Sequence, residues 1–206
     1  MSRLQGGMSA EAACVRCRLS QTRTQVVVGR GDSSAAVFFL GEAPGRAEDK
    51  SGLGFQGAAG QRFNDILAFI GLSRERIWLA NAVRCRPSID GRKNRAPRPD
   101  EIEACRYWLV RDMERIRPRV VVTMGRVAFE SVTRISWDAK HRATPIAIPE
   151  FETTAFALYH PAYLIYKRDL QSVYRQDLEK LRTILLTLDV RLDEPAGPWT
   201  RASKTT

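Results

Sequence analysis

The chain has 206 residues, 44% of them hydrophobic, and its 33 basic against 23 acidic residues leave a formal net charge of +10. That length suits one medium domain with a real core. No run nears the roughly 20 apolar residues that span a bilayer, and the first thirteen residues lack the apolar centre of a secretory signal. The composition points away from membrane and secreted classes. It suits a cytoplasmic protein acting on a polyanion, of which nucleic acid is the usual one.

Read in chain order, Ala36 to Gly41 (AVFFLG) is a short apolar run of the kind that makes a buried parallel strand. Gly41 to Ser51 reads as a loop rich in Gly, Pro and carboxylates. Gly60 to Gly71 places Phe63, Ile66, Leu67 and Ile70 at helical spacing, with Gly71 where a C-terminal cap belongs. Ile77 to Asn81 is a second strand. Arg84 to Arg98 is a basic loop full of turn formers. Asp100 to Arg117 is an amphipathic helix that Pro118 stops. Val120 to Met124 is a third strand and Gly125 opens another helix. Phe156 to Tyr159 is a fourth strand, followed by His160-Pro161. Leu170 to Leu188 closes the fold as a long helix.

Strands alternating with helices predict an α/β fold built on a mainly parallel four-stranded sheet flanked by helices. Residues 1–190 are expected to form one domain and 191–206 a flexible tail. In such sheets ligands sit at the carboxyl ends of the strands. The residues just past those ends are Glu42, Asn81, Gly125 and His160, and three of them carry usable chemistry.

Four cysteines complete the inventory. Cys14 and Cys17 are two residues apart, 67 residues intervene before Cys85, and 19 more before Cys105. A cytosolic chain keeps thiols reduced, so a shared metal site is expected rather than a disulfide framework. Zinc and an iron–sulfur cluster both accept four thiolates, and spacing alone does not separate them. The acidic loop after the first strand is unexpected in so basic a chain. Carboxylates facing a polyanion weaken its binding, so chemistry explains Glu42 better than solubility does.

Several segments resemble one known family. LGEAPGRAED at 40–49, followed by SGLGFQGAAGQRF at 51–63, is similar to the first motif of the family 4 uracil-DNA glycosylases, the iron–sulfur type of bacteria and archaea. NAVRCRP at 81–87 resembles that family's Asn motif with its embedded cysteine, and NRAPRPDEIEAC at 94–105 the segment with its last cysteine. YHPAYL at 159–164 resembles its His-Pro motif. The likeness runs from about Cys14 to the closing helix. Gly54 stands where the family usually has Pro, and the loop Ser88 to Lys93 looks longer than typical. A related branch crosslinks to uracil through a histidine in this loop. Residues 86–98 contain none, so covalent trapping is not expected.

The resemblance implies a DNA-repair hydrolase that frees uracil and leaves an abasic site, and a 4Fe–4S cluster on Cys14, Cys17, Cys85 and Cys105. It casts Phe55 as the ring stacked on a flipped uracil and Asn81 as the reader of its edge. His160 stabilises the leaving anion. Backbone groups at Gly41 and Ala43 bind the base, and Glu48 fills the space of a thymine methyl. Ala43 replaces the activating Asp of other uracil-DNA glycosylase families, which leaves Glu42 to orient the attacking water. Tyr163 and Leu164 are candidate wedges into the duplex. Arg86 and Arg95, with Arg84, Arg92, Lys93 and Arg98, are candidate phosphate contacts. The expected partner is uracil-containing DNA, bound by a monomer. Two other readings compete: a non-catalytic iron–sulfur nucleic-acid-binding module, and a zinc-stabilised phosphate binder. The first does not account for the loop positions of Glu42, Phe55, Asn81 and His160; against the second, Glu42 and Glu48 would repel phosphate and no Walker lysine follows.

Overall fold

The computed structural model describes residues 10–195. Its strands are β1 (Arg30–Gly31), β2 (Val37–Gly41), β3 (Trp78–Asn81), β4 (Ser88–Ile89), β5 (Lys93–Asn94), β6 (Val120–Met124), β7 (Pro145–Ile148) and β8 (Thr153–Leu158). Its α-helices are α1 (Arg46–Ser51), α2 (Gly57–Ile70), α3 (Pro99–Ile116), α4 (Arg126–Thr133), α5 (Tyr163–Tyr166) and α6 (Gln171–Thr187). The main sheet runs β1-β3-β2-β6-β8-β7, while β4 and β5 form a separate hairpin.

The four expected strands are the parallel centre of this sheet. Two antiparallel edge strands extend it to six. They were invisible in the sequence for a physical reason. β1 is two residues long, and β7 opens on a proline and is mostly open to solvent. An edge strand needs neither a continuous apolar run nor every N–H. The expected loop after β2 also ends differently, since its last six residues coil into α1.

Because side chains alternate along a strand, β2 feeds two cores. Val37 and Phe39 pack with Phe63, Ile66, Leu67 and Ile70 of α2 and with Leu178, Leu181 and Leu185 of α6. Phe38 and Leu40 pack on the other face with Leu109, Met113 and Ile116 of α3 and Ala128 and Val132 of α4. Helix α3 begins on Pro99, a residue suited to the first helical position. Its Glu101 carboxylate accepts the Arg98 N–H at 2.8 Å, which closes that end.

The connections from β2 and β6 leave in opposite directions, to β3 and to β8. A crevice therefore opens at their carboxyl ends. At the far end of the chain, the Asp193 N–H donates to the Gly71 carbonyl at 2.9 Å and its carboxylate pairs with Arg76 at 2.8 Å. The stretch expected as a tail from 191 thus starts fastened to the fold, and residues 196–206 lie outside the described residues. No helix among the described residues is long and apolar enough to cross a membrane.

Candidate active site

Parallel register brings the predicted residues together. Gly41 pairs with Asn81 across β2 and β3, and Met124 with Leu158 across β6 and β8. The ladder continues one step into the loops, where Val83 N–H donates to the Glu42 carbonyl at 3.0 Å. Gly41 has no room for a side chain. A Cβ there would overlap the Asn81 amide oxygen and come within 2.7 Å of the Phe55 ring. Glycine at this position lets the amide and the ring close over the strand end. Asn81 is only 4% exposed, and its amide has no hydrogen-bond partner among the described residues.

Phe55 stands on a built pedestal. Its φ is +55°, the left-handed region that bulky residues avoid. Arg74 Nη2 donates to the Phe55 carbonyl at 2.7 Å, and Nη1 to the Gly54 carbonyl at 3.0 Å. Arg74 Nε donates to Asn64 Oδ1 at 2.7 Å, which aims the guanidinium. Phe63 supports the ring with centroids 4.8 Å apart. Any side chain on Gly60 would collide with the same Phe55 carbonyl. Sequence reading missed Arg74, because a short turn of mixed charges (Arg74–Arg76) carries no signal that it supports a loop twenty residues earlier.

His160 faces Phe55, with ring centroids 6.1 Å apart and planes 22° from parallel. Its Nδ1 accepts the Ala162 N–H at 3.2 Å, so the neutral ring carries its proton on Nε2. Burial pushes its pKa down to about 4, which keeps the imidazole neutral in the working range. Glu42 is partly buried, and that burial raises its pKa above the usual carboxylate value. The Arg126 charge, on the helix after Gly125, works in the opposite direction. Arg126 is a second residue the sequence did not single out. Glu48 braces the loop: Oε2 accepts the Gly45 N–H at 3.0 Å and Oε1 the Gln56 N–H at 2.7 Å. Both oxygens are therefore turned to backbone on either side of α1.

The four cysteines are free thiols that line one cavity together with Val83 and Trp108. Three of their sulfurs accept hydrogen bonds: Cys14 from Trp108 Nε1 at 3.2 Å, Cys105 from Arg84 N–H at 3.2 Å, and Cys85 from Arg23 at 3.6 Å. Ala43 of the turn after β2 packs against the same cluster of residues. A strap joins the two regions, since Asp49 of α1 accepts both the N–H and the hydroxyl of Thr24, at 2.9 and 2.7 Å. No three His, Cys, Asp or Glu residues among those described are grouped closely enough for a single metal ion.

The residues expected to contact DNA differ in how far they are open to solvent. Leu164 is 1% exposed and packs in the main core, whereas Tyr163 beside it is exposed. Arg84 is buried between Glu11 and Asp112, at 2.9 and 2.5 Å. Arg86 bonds the Asn94 side chain and the carbonyls of Gly91 and Arg92. Arg95 forms a two-pronged pair with Glu101 at 2.8 and 2.6 Å. These three guanidinium groups are spent on the protein itself. Arg92, Lys93 and Arg98 remain exposed, with no side-chain partner among the described residues. Sequence could not make this distinction, because all six cations look alike in a turn-rich loop.

The parallel α/β sheet brings an amide, an aromatic ring and an imidazole together at the ends of its central strands. The chain belongs to the uracil DNA glycosylase superfamily, whose family model matches residues 28–182. Among characterised relatives it is similar to the type-4 uracil-DNA glycosylase of Archaeoglobus fulgidus, 37% identical over 82% of this chain and 86% of that one. Those of Sulfurisphaera tokodaii and Thermotoga maritima are each 35% identical. They cover 85% and 84% of this chain, and 81% and 89% of their own.

Proposed function

We propose that this enzyme removes uracil from DNA by hydrolysing the N-glycosidic bond of deoxyuridine, leaving an abasic site. The observation that carries this reading is the Asn81 amide, held at the strand end beside Phe55 and Gly41 with no hydrogen-bond partner among the described residues. An amide offers one donor and one acceptor edge, which complements uracil O4 and N3–H. With the amide held in that orientation, cytosine would set donor against donor and acceptor against acceptor, a mismatch that can discriminate by about 10⁴–10⁵. The names of the type-4 relatives support the same substrate. A non-catalytic binding module gives no reason for such an amide.

A target base must leave the helix, at a cost of a few kcal/mol, and stacking on Phe55 returns about 1–3 kcal/mol. As the bond to the sugar breaks, negative charge collects on the uracil oxygens. His160 Nε2–H, together with backbone N–H groups of the turn at Gly41 and Ala43, donates to that charge. A neutral donor suits this role because it need not gain a proton to act. Glu42 orients the attacking water and stabilises the cationic sugar. Glu48 holds the loop in shape while standing where a thymine methyl would go. Tyr163, Arg92, Lys93 and Arg98 face the nucleic acid.

The donor set of Cys14, Cys17, Cys85 and Cys105 fits a 4Fe–4S cluster: four thiols around one cavity, three of them receiving N–H bonds that suit anionic sulfur. Bound there, the cluster supplies a cross-link rather than an electron, since hydrolysis needs none. It ties the N-terminal segment to the basic loop and, through Thr24 and Asp49, to α1. A monomer acting in the cytoplasm completes the reading.

The test is direct. Freshly purified protein is incubated with single- and double-stranded oligonucleotides containing one uracil, and abasic sites are then broken with alkali. A single cut at the uracil is expected, and none at thymine or cytosine. No cut at any salt or temperature would sink the enzyme. A visible spectrum of the same sample should show broad iron–sulfur absorbance. Colourless protein carrying one zinc would overturn the cluster.

A further inference from the structure

His160 is held by its own turn and, separately, by the closing helix. Within the turn, its Nδ1 accepts the Ala162 N–H at 3.2 Å and its carbonyl the Tyr163 N–H at 2.8 Å. The second hold lies one residue earlier. Strand β8 ends on Leu158, whose carbonyl still accepts the Gly125 N–H at 2.9 Å. Past that point the sheet has run out, and a side chain takes over. The Tyr174 hydroxyl, from the first turn of α6, donates to the Tyr159 carbonyl at 3.2 Å. Tyr174 is 0% exposed. Phenylalanine would fill the same space, and a phenol buried so completely is costly unless its hydroxyl is used. Burial, with the Asp177 charge behind it, pushes the Tyr174 pKa up, so the phenol keeps the proton it donates.

Helix α6 grips Tyr159 a second time. Asp177, three positions after Tyr174 and on the same face of the helix, is 2% exposed and pairs with Arg142 at 2.7 Å. The Arg142 guanidinium lies over the Tyr159 ring, 5.3 Å from its centroid. Both the carbonyl and the ring of Tyr159 are thus tied to α6. The Tyr159 carbonyl and the His160 N–H and Cα share one planar peptide unit. A bond to that oxygen therefore sets where the His160 Cα stands, and with it the imidazole opposite Phe55.

We propose that Tyr174 is a positioning residue for His160: its hydroxyl orients the Tyr159–His160 peptide and so keeps the imidazole Nε2–H aimed at the charge that develops on the leaving base. This rests on the uracil-excision reading above. A donor stabilises developing charge without reorganisation only if it is aimed beforehand.

The test is Tyr174→Phe, which keeps the ring and deletes the hydroxyl. With enzyme in saturating excess over a uracil oligonucleotide, the single-turnover rate constant should fall roughly five- to tenfold, about what one hydrogen bond is worth. The Kd for the same DNA should stay unchanged. In a His160→Gln background the substitution should slow the reaction little further. The second readout is the imidazole itself. The chain has two histidines, His141 and His160, so NMR can follow each ring. Tyr174→Phe should move the His160 ring signals and leave those of His141 in place. A loss of amplitude with the rate constant intact would be a folding effect and would overturn the positioning role. So would equal slowing in both backgrounds, or unmoved His160 signals. A wild-type enzyme that frees no uracil would sink the excision reading instead, and the ring signals would then decide the positioning role alone.

Discussion

Replacing Arg74 with alanine tests whether the pedestal under Phe55 sets catalysis. The substitution removes bonds to the Phe55 and Gly54 carbonyls at 2.7 and 3.0 Å and to Asn64 at 2.7 Å. Arg74 is partly exposed, so water replaces some of what is lost, and each carbonyl bond is worth about 1 kcal/mol here. The left-handed phenylalanine costs roughly 1–2 kcal/mol more, and nothing then offsets it. The sum, about 3–4 kcal/mol, is enough to let the Phe55 backbone relax and carry the ring away from the base. Losing a stacking contact of about 1–3 kcal/mol lowers kcat/KM by roughly 5- to 150-fold. Arg74→Lys should fall between, because an ammonium cannot fork across two carbonyls and an amide. The assay is single-turnover excision in a double-mutant cycle with Phe55→Ala. If Arg74 acts through the ring, Arg74→Ala should cost little more once Phe55 is alanine. An equal cost in both backgrounds would refute the pedestal and leave Arg74 as a general support of the fold.

Two further expectations concern protons. Glu42 must be ionised to act, and burial raises its pKa while Arg126 lowers it. Activity is thus present above that pKa and lost as pH falls through it. Glu42→Gln should cost about 10²–10⁴-fold, and Arg126→Ala should move the acid limb of kcat/KM to higher pH; an unmoved limb removes Glu42 from the role. His160 has its pKa pushed down to about 4 by burial, against about 6.5 for an unfolded histidine. Between those values the unfolded chain binds more protons, so this contribution to stability is complete above about pH 6.5 and is lost as pH falls towards 4. The melting temperature of His160→Gln should therefore drop less than the wild type's between pH 7 and 4.5, and parallel curves would contradict the neutral, buried imidazole.

Much of the site was legible because its residues lie at strand ends, where an apolar run gives way to one polar residue. Glu42, Asn81 and His160 announce themselves in that way, and the motifs around them named their family. Arg74, Arg126 and the Thr24–Asp49 strap did not, since each acts on residues remote in the chain through contacts with no local pattern. The basic loop marks the boundary most clearly. Sequence identified it as cationic. It could not tell that Arg84, Arg86 and Arg95 are turned inward, which depends on where Asp112, Asn94 and Glu101 fall once α3 has packed.

What the amino-acid sequence determined by itself was the set of local decisions: the four central strands, the long helices, the glycines at the turns and the cysteine spacing. Each depends on side-chain period and backbone sterics within a few residues. Tertiary structure decided the rest. It placed the Asn81 amide against Phe55, drew four cysteines to one cavity, buried Leu164 and left Tyr163 beside it exposed. Those outcomes depend on which surfaces meet when the sheet closes between its helices, a competition among distant groups for the same buried space and the same hydrogen bonds.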